Sequence, residues 1–246
     1  MRVLILGGSE PAHQLAHELV RRDWWVTTIL PGPGRTPAGQ VRIGDQGGAA
    51  GIARFIIEHG VEYVVDATPP FEERASILGA EAARATSTPF FLLAQAPWQP
   101  GPHDRWQSVT TLEGAVQPAS RSFRHILLDF WDAPESASAF AEDRDNLYVL
   151  RTAVPRRGRA VHGRTPARFR IIGQAPDSVE GEKQLLRDNQ IDGIVLRNTG
   201  DTRSEPTLDA ARELAIPIIL IDRPAPPGAT LSCHAVPEIL HALHAD

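Results

Sequence analysis

Lysine is almost missing from this chain of 246 residues: Lys183 is the only one, and arginine carries the rest of the positive charge. A Schiff-base lysine is thereby restricted to one position, and Lys183 stands in a polar helical pattern where a solvated role is expected. Cysteine is equally scarce. Cys233 stands alone, which excludes an internal disulfide and any cysteine-based zinc or iron–sulfur site, and no metal site is expected. Long apolar runs are missing too: none approaches the ~20 residues of a membrane span, and no basic flank precedes a signal-length apolar segment. A cytoplasmic protein with no membrane partner is the expectation. Positive charge is in overall deficit, and a net charge of −5 argues against nucleic-acid binding, which needs a basic surface to displace phosphate counterions.

What is present is an apolar fraction of 42%, enough for a well-packed interior. The length suits two α/β units rather than one core. The first ten residues set the pattern. Residues 3–6 form a short apolar run, as in a strand buried on both faces, and stop at Gly7-Gly8, after which Ser9 and Glu10 open a helical pattern. Glycine there permits a tight turn and close approach of a ligand to the backbone, with helix N–H groups pointing into the turn. The same order of strand, glycine pair and helix recurs at residues 41–59, around Gly47 and Gly48. A second strand, 24–30, runs into Pro31-Gly-Pro-Gly-Arg35-Thr36, where an arginine suits a ribose 2′-phosphate as an acidic residue suits a free 2′-hydroxyl. Arg35 therefore favours NADP over NAD, unless it is an ordinary solvated loop residue.

A third buried strand, 61–66, ends in Asp66-Ala-Thr68-Pro69-Pro70-Phe71 before a helix expected over 72–86. Thr68 reads equally as a helix cap, with Pro69 at the first helical position. Strands and helices alternate to the end of the chain, which predicts two Rossmann-like domains with mainly parallel sheets flanked by helices. The first domain is expected over 1–121 and the second over 122–246. Seven arginines, at 151, 156, 157, 159, 164, 168 and 170, crowd one stretch with no acidic residue. Such a run is either a solvated loop or a surface for a polyanionic ligand, because arginine forks onto carboxylates.

In order along the chain, these landmarks resemble the precorrin-6A reductases of cobalamin biosynthesis. That family's Leu-Gly-Gly-Thr opening is similar to Leu6-Gly7-Gly8-Ser9, and its Ala-Gly-Arg to Pro33-Gly34-Arg35. Its Arg-Ile-Gly-Gly-Phe-Gly-Gly resembles Arg42 to Gly48, and its Val-Asp-Ala-Thr-His-Pro-Phe resembles Val65 to Phe71. Further on, Gln95-Ala-Pro-Trp98 matches Arg-Pro-Ala-Trp, Arg197-Asn198-Thr199-Gly200-Asp201 matches Lys-Asn-Ser-Gly-Gly, and Ala210 to Pro224 fits closely.

The resemblance implies an enzyme that transfers a hydride from NADPH to a double bond of an anionic tetrapyrrole, with the cofactor on the first domain and the macrocycle between the domains. It implies cofactor binding by Gly7, Gly8, Ser9, Glu10, Arg35, Thr36, Gly47, Gly48, Asp66 and Thr68. Substrate contacts are expected from Pro69, Pro70, Phe71, Trp98, Arg151, Arg170, Arg197, Asn198, Thr199 and Gly200. Pro69 replaces the family's histidine, Asp201 a glycine, and Asp129-Phe130-Trp131 part of a glycine-containing turn. These departures leave open a non-catalytic nucleotide- or tetrapyrrole-binding relative, or a reductase of the same fold acting on another substrate. No proton donor is assigned.

Overall fold

The computed structural model describes residues 1–131, 133–152, 164–173, 176 and 178–244. In chain order its elements are β1 (Arg2–Leu6), α1 (Glu10–Val20), β2 (Trp25–Leu30), β3 (Gln40–Ile43), α2 (Gly48–His59), β4 (Tyr63–Asp66), α3 (Glu73–Ala85), β5 (Phe90–Leu93), β6 (Trp106–Val109), α4 (Leu112–Ser122), β7 (His125–Asp129) and β8 (Leu147–Arg151). They continue with β9 (Phe169–Ile172), α5 (Val179–Asp188), β10 (Gly193–Arg197), α6 (Glu205–Leu214), β11 (Ile218–Ile221), β12 (Leu231–Cys233) and α7 (Val236–His244). Short 3-10 helices lie at Pro134–Phe140 and Thr202–Ser204.

Two compact units result. One comprises residues 1–96 with 224–246, the other residues 97–223. The first holds a six-stranded sheet in the order β12-β5-β4-β1-β2-β3, the second one in the order β6-β11-β10-β7-β8-β9, and all strand pairs are parallel. Each order has the switch point of a dinucleotide-binding fold, between β1 and β4 in one unit and between β7 and β10 in the other.

The apolar run of β1 explains why its unit is double-faced. Val3 and Ile5 pack with Leu15 and Leu19 of α1 and Ile239 and Leu243 of α7, while Leu4 and Leu6 meet Ile52 and Phe55 of α2 and Ala82 of α3. Successive strand residues point to opposite faces, so a continuous apolar run is what two helical layers require. Each of the valine, leucine, isoleucine and phenylalanine side chains among them, buried rather than exposed, contributes about 1.5–3 kcal/mol before conformational entropy is counted. In the second unit, Leu127, Ile194, Leu196 and Leu220 face Leu186 of α5 and Leu208 of α6.

The chain-continuous boundary at 121/122 is corrected. β6 and α4 belong to the second unit and β12 with α7 to the first, so each sheet takes its outermost strand from beyond that expected division. The reason is pairing: β6 lies parallel to β11, with Trp106 opposite Ile218, and β12 lies parallel to β5, with Leu231 opposite Phe91. Neither four-residue nor three-residue strand carries a periodicity that names its partner. No helix among the described residues is long and apolar enough to cross a membrane.

Candidate functional site

The carboxyl edge of the first sheet gathers the expected cofactor residues. β1 is followed by Gly7, whose amide donates to the Ile29 carbonyl at 2.8 Å, so the pairing of β1 with β2 continues into the turn. A Cβ on Gly7 would lie 2.5 Å from Thr28 Cγ2, which makes this glycine a packing requirement. Gly8 differs. It is exposed, adopts φ +120°, and its open side faces Pro69 Cδ and Pro31 Cδ, 3.2 and 3.5 Å from an ideal Cβ. Gly47, with φ +83°, has no such neighbour closer than 3.9 Å, and it starts α2 without a side-chain cap. Asp45 takes up the start of that helix instead, its carboxylate accepting from Gly47 N–H at 3.2 Å and its carbonyl from Gly48 N–H at 2.8 Å.

Ser9 is committed within the protein. Its hydroxyl caps α1 by accepting from Ala12 N–H at 3.2 Å and donates its one hydrogen to the Ala67 carbonyl at 2.7 Å. It ties the turn after β1 to the turn after β4. Asp66, fully buried, organises that second turn from beneath: Oδ1 accepts from Thr68 N–H at 3.1 Å, and Oδ2 accepts from the Ser76 hydroxyl. Burial pushes the Asp66 carboxyl above the usual aspartate range despite these bonds. Asp66 therefore supports the loop rather than facing a ligand. Thr68 is not a helix cap, since α3 begins four residues beyond Pro69 with Glu72 in the cap position. Pro69, Pro70 and Phe71 are half-buried along the same turn.

Arg35 and Glu10 meet at this edge as an ion pair of 2.7 Å, with side chains 68% and 58% exposed. An exposed pair of this kind is weak and exchangeable. The sequence reading missed His13. Its ring nitrogens lie 2.9 Å from two carbonyl oxygens, Ser9 O through Nδ1 and Arg35 O through Nε2. The only available signal was its place one turn into α1. Thr36 is exposed beside Arg35, and Gly48, with φ +73°, follows Gly47.

In the second unit the expected residues divide. Asn198 is buried and grips the backbone of Trp98, accepting its N–H at 2.8 Å and donating to its carbonyl at 3.2 Å. Arg223 Nε donates to the Asn198 carbonyl at 3.1 Å. Arg197 and Thr199 stay partly accessible around this clamp, and Gly200 turns the chain with φ +70°. Asp201, where the resembling family has glycine, caps the 3-10 helix and pairs with Arg203. Burial alone would raise the Asp201 carboxyl, but the hydrogen bonds from Arg203 hold it below the usual range.

Arg151 is the main correction. Its side chain is 0% exposed and bonded to Glu182, to Thr207 Oγ1 at 2.7 Å and to Asp129 at 3.4 Å, so it faces the interior and not a substrate. A strand-end arginine surrounded by apolar sequence finds its carboxylates from α5 and β7, which no local pattern announces. Of the other arginines in that run, Arg164 pairs with Glu142 at 2.7 Å, Arg168 bonds the Asp145 carbonyl at 3.0 Å, and Arg170 is exposed on the edge strand β9. Arg156, Arg157 and Arg159 lie outside the described residues. Among the described residues no cluster of His, Cys, Asp and Glu could hold a metal ion.

This geometry has relatives over its whole length. The family model of precorrin-6x reductase CbiJ/CobK matches residues 2–244. The chain is 34% identical over 238 residues to the precorrin-6A reductase of Rhodobacter capsulatus, covering 92% of this chain and 90% of that one. It is 33% identical over 234 residues to the precorrin-6A reductase of Rhodococcus erythropolis, with 93% and 92% covered. A solved structure of CobK precorrin-6A reductase superposes with a TM-score of 0.88 at 29% identity, covering 100% of this chain and 96% of that one. With the strand order, the glycine turns and a relation spanning both units in agreement, the chain belongs to the CbiJ/CobK family of precorrin-6x reductases.

Proposed function

We propose that this reductase draws its hydride from NADPH and reduces one double bond of a precorrin macrocycle in cobalamin biosynthesis. The first unit is the cofactor-binding one. When bound, the reduced nicotinamide supplies the hydride. The carboxyl edge of its sheet suits such a ligand: Gly8 is exposed in the turn after β1, and Gly47, at the start of α2, has open space where a Cβ would lie. Ser9 and Asp66 hold the turns after β1 and β4 in register, which fixes the floor against which a cofactor is aligned. In the second unit, Arg170, Arg197 and Thr199 are accessible polar groups suited to the carboxylates of a tetrapyrrole, with Trp98 as an apolar contact.

Arg35 is the observation that carries the choice of NADPH. It follows β2, its side chain is two-thirds exposed, and among the described residues its guanidinium is paired with Glu10, a partner it can leave for a phosphate. Arg35→Ala is expected to weaken NADPH binding by roughly tenfold or more, the loss of one charge-assisted hydrogen bond, and to leave NADH little changed. Equal losses for both cofactors, or a wild-type preference for NADH, would remove the basis of this reading.

A further inference from the structure

His13 contacts two groups that can only accept. The carbonyl oxygens of Ser9 and Arg35 each lie 2.9 Å from one of its ring nitrogens. A neutral imidazole has a single N–H and would leave the second nitrogen's lone pair against a carbonyl lone pair. Only the imidazolium donates to both. Its two acceptors belong to different elements: Ser9 is the cap of α1, and Arg35 sits in the loop after β2. That loop has few other polar ties, because residues 31–38 make no backbone–backbone hydrogen bond among the described residues.

From this juxtaposition we propose that His13, protonated on both nitrogens, clamps the 31–36 loop to the start of α1 and so positions Arg35 for a ribose 2′-phosphate. The proposal rests on the reading of Arg35 given above and adds a specificity determinant that never touches the cofactor. On α1 the titratable neighbours in sequence are Glu10 and His17, and Arg35, whose carbonyl meets His13, is itself paired with Glu10. The N-terminal end of α1 opposes the cation. Loss of the second ring proton would leave one of the two carbonyls without its donor and free the loop.

The test measures Kd for NADPH and NADH between about pH 6 and pH 8.5 in wild type, His13→Gln and His13→Arg, together with ¹⁵N NMR of the His13 ring in the free protein. Glutamine can reach one carbonyl as a donor, whereas arginine offers several N–H groups and a permanent charge. Both ring nitrogens are expected to be protonated where the wild-type preference for NADPH over NADH is greatest, and that preference to fall together with loss of the second ring proton. His13→Gln should lower that preference roughly threefold to tenfold at low pH, the range of one net hydrogen bond, and flatten its pH dependence. His13→Arg should restore the preference without the pH dependence. Taking the ratio to His13→Gln removes the titration of the 2′-phosphate itself. A ring with one bare nitrogen where the preference for NADPH is greatest, or a His13→Gln variant that loses both cofactors equally, overturns the clamp. Arg35→Ala measured alongside separates the two claims: if it leaves the cofactor preference unchanged, the reading of Arg35 fails while the NMR result still decides the clamp.

Discussion

The two units share a strand order and differ at the one place where that order makes a ligand crevice. In the first, β1 runs into Gly7 and Gly8, and the turn is bare backbone walled by two proline rings. In the second, the corresponding β7 runs into Asp129, Phe130 and Trp131, and the space is filled. Phe130 packs towards Phe140 with 6.5 Å between ring centroids, Arg151 lies beneath the Trp131 ring at 5.9 Å, and Asp129, Glu182, Thr207 and Ser204 surround the guanidinium or its partners. The same topology thus leaves an open turn in one unit and a sealed core in the other. Strand order alone offers a crevice, and the residues at the end of the central strand decide whether it stays open.

The largest expected effect breaks the sealed side. Arg151→Ala strands two buried carboxylates without their cation, and removal of one partner from such a group costs about 3–5 kcal/mol. Urea unfolding is expected to show that loss, with NADPH affinity unchanged in the protein that remains folded. Near-wild-type stability with impaired tetrapyrrole binding would return Arg151 to the surface role expected from sequence.

Substitutions on the open side sharpen the contrast. Gly7→Val forces a side chain into Thr28 and should destabilise by about 1–3 kcal/mol whether or not cofactor is present. Gly47→Ala meets open space and bears only the left-handed backbone penalty of about 1–2 kcal/mol, so its main effect is expected on NADPH affinity. Should Gly47→Ala change stability alone, Gly47 is a turn former and nothing more.

The smallest effect concerns Asp66. Its carboxyl is raised above the ordinary value of 3.8 by burial, so the folded state holds the proton more tightly than the unfolded chain. The stability this provides is complete below the unfolded value and is lost as pH rises through the folded one. Asp66→Asn should abolish that slope and, keeping an acceptor for Thr68 N–H, change stability at neutral pH by less than about 1 kcal/mol. A slope that survives the substitution assigns the dependence to another group.

Much of this was legible in the sequence because the signals are local. The apolar run of β1, the glycine turns and the alternation of strands with helices each depend on neighbours within a few residues, and helices such as α1 and α5 begin at capping serines, Ser9 and Ser178. The exchange of outer strands was not legible, since β6 and β12 are too short to encode their partners and pairing in a parallel sheet is set by the tertiary fold. The site divided on the same line. Gly8, Arg35 and Gly47 follow from turn chemistry and position, whereas the commitments of Ser9, Asn198 and Arg151 depend on atoms 58, 100 and 31 residues away respectively.

The outer-strand exchange also orders events during synthesis. Residues 97–223 form one uninterrupted stretch, so the second unit can close as soon as it has left the ribosome. The first unit, begun earlier, cannot: until residues 231–243 emerge, β5 presents an unpaired edge and the apolar surface that Ile239 and Leu243 later cover. The half of the protein translated first is thus the half that finishes last.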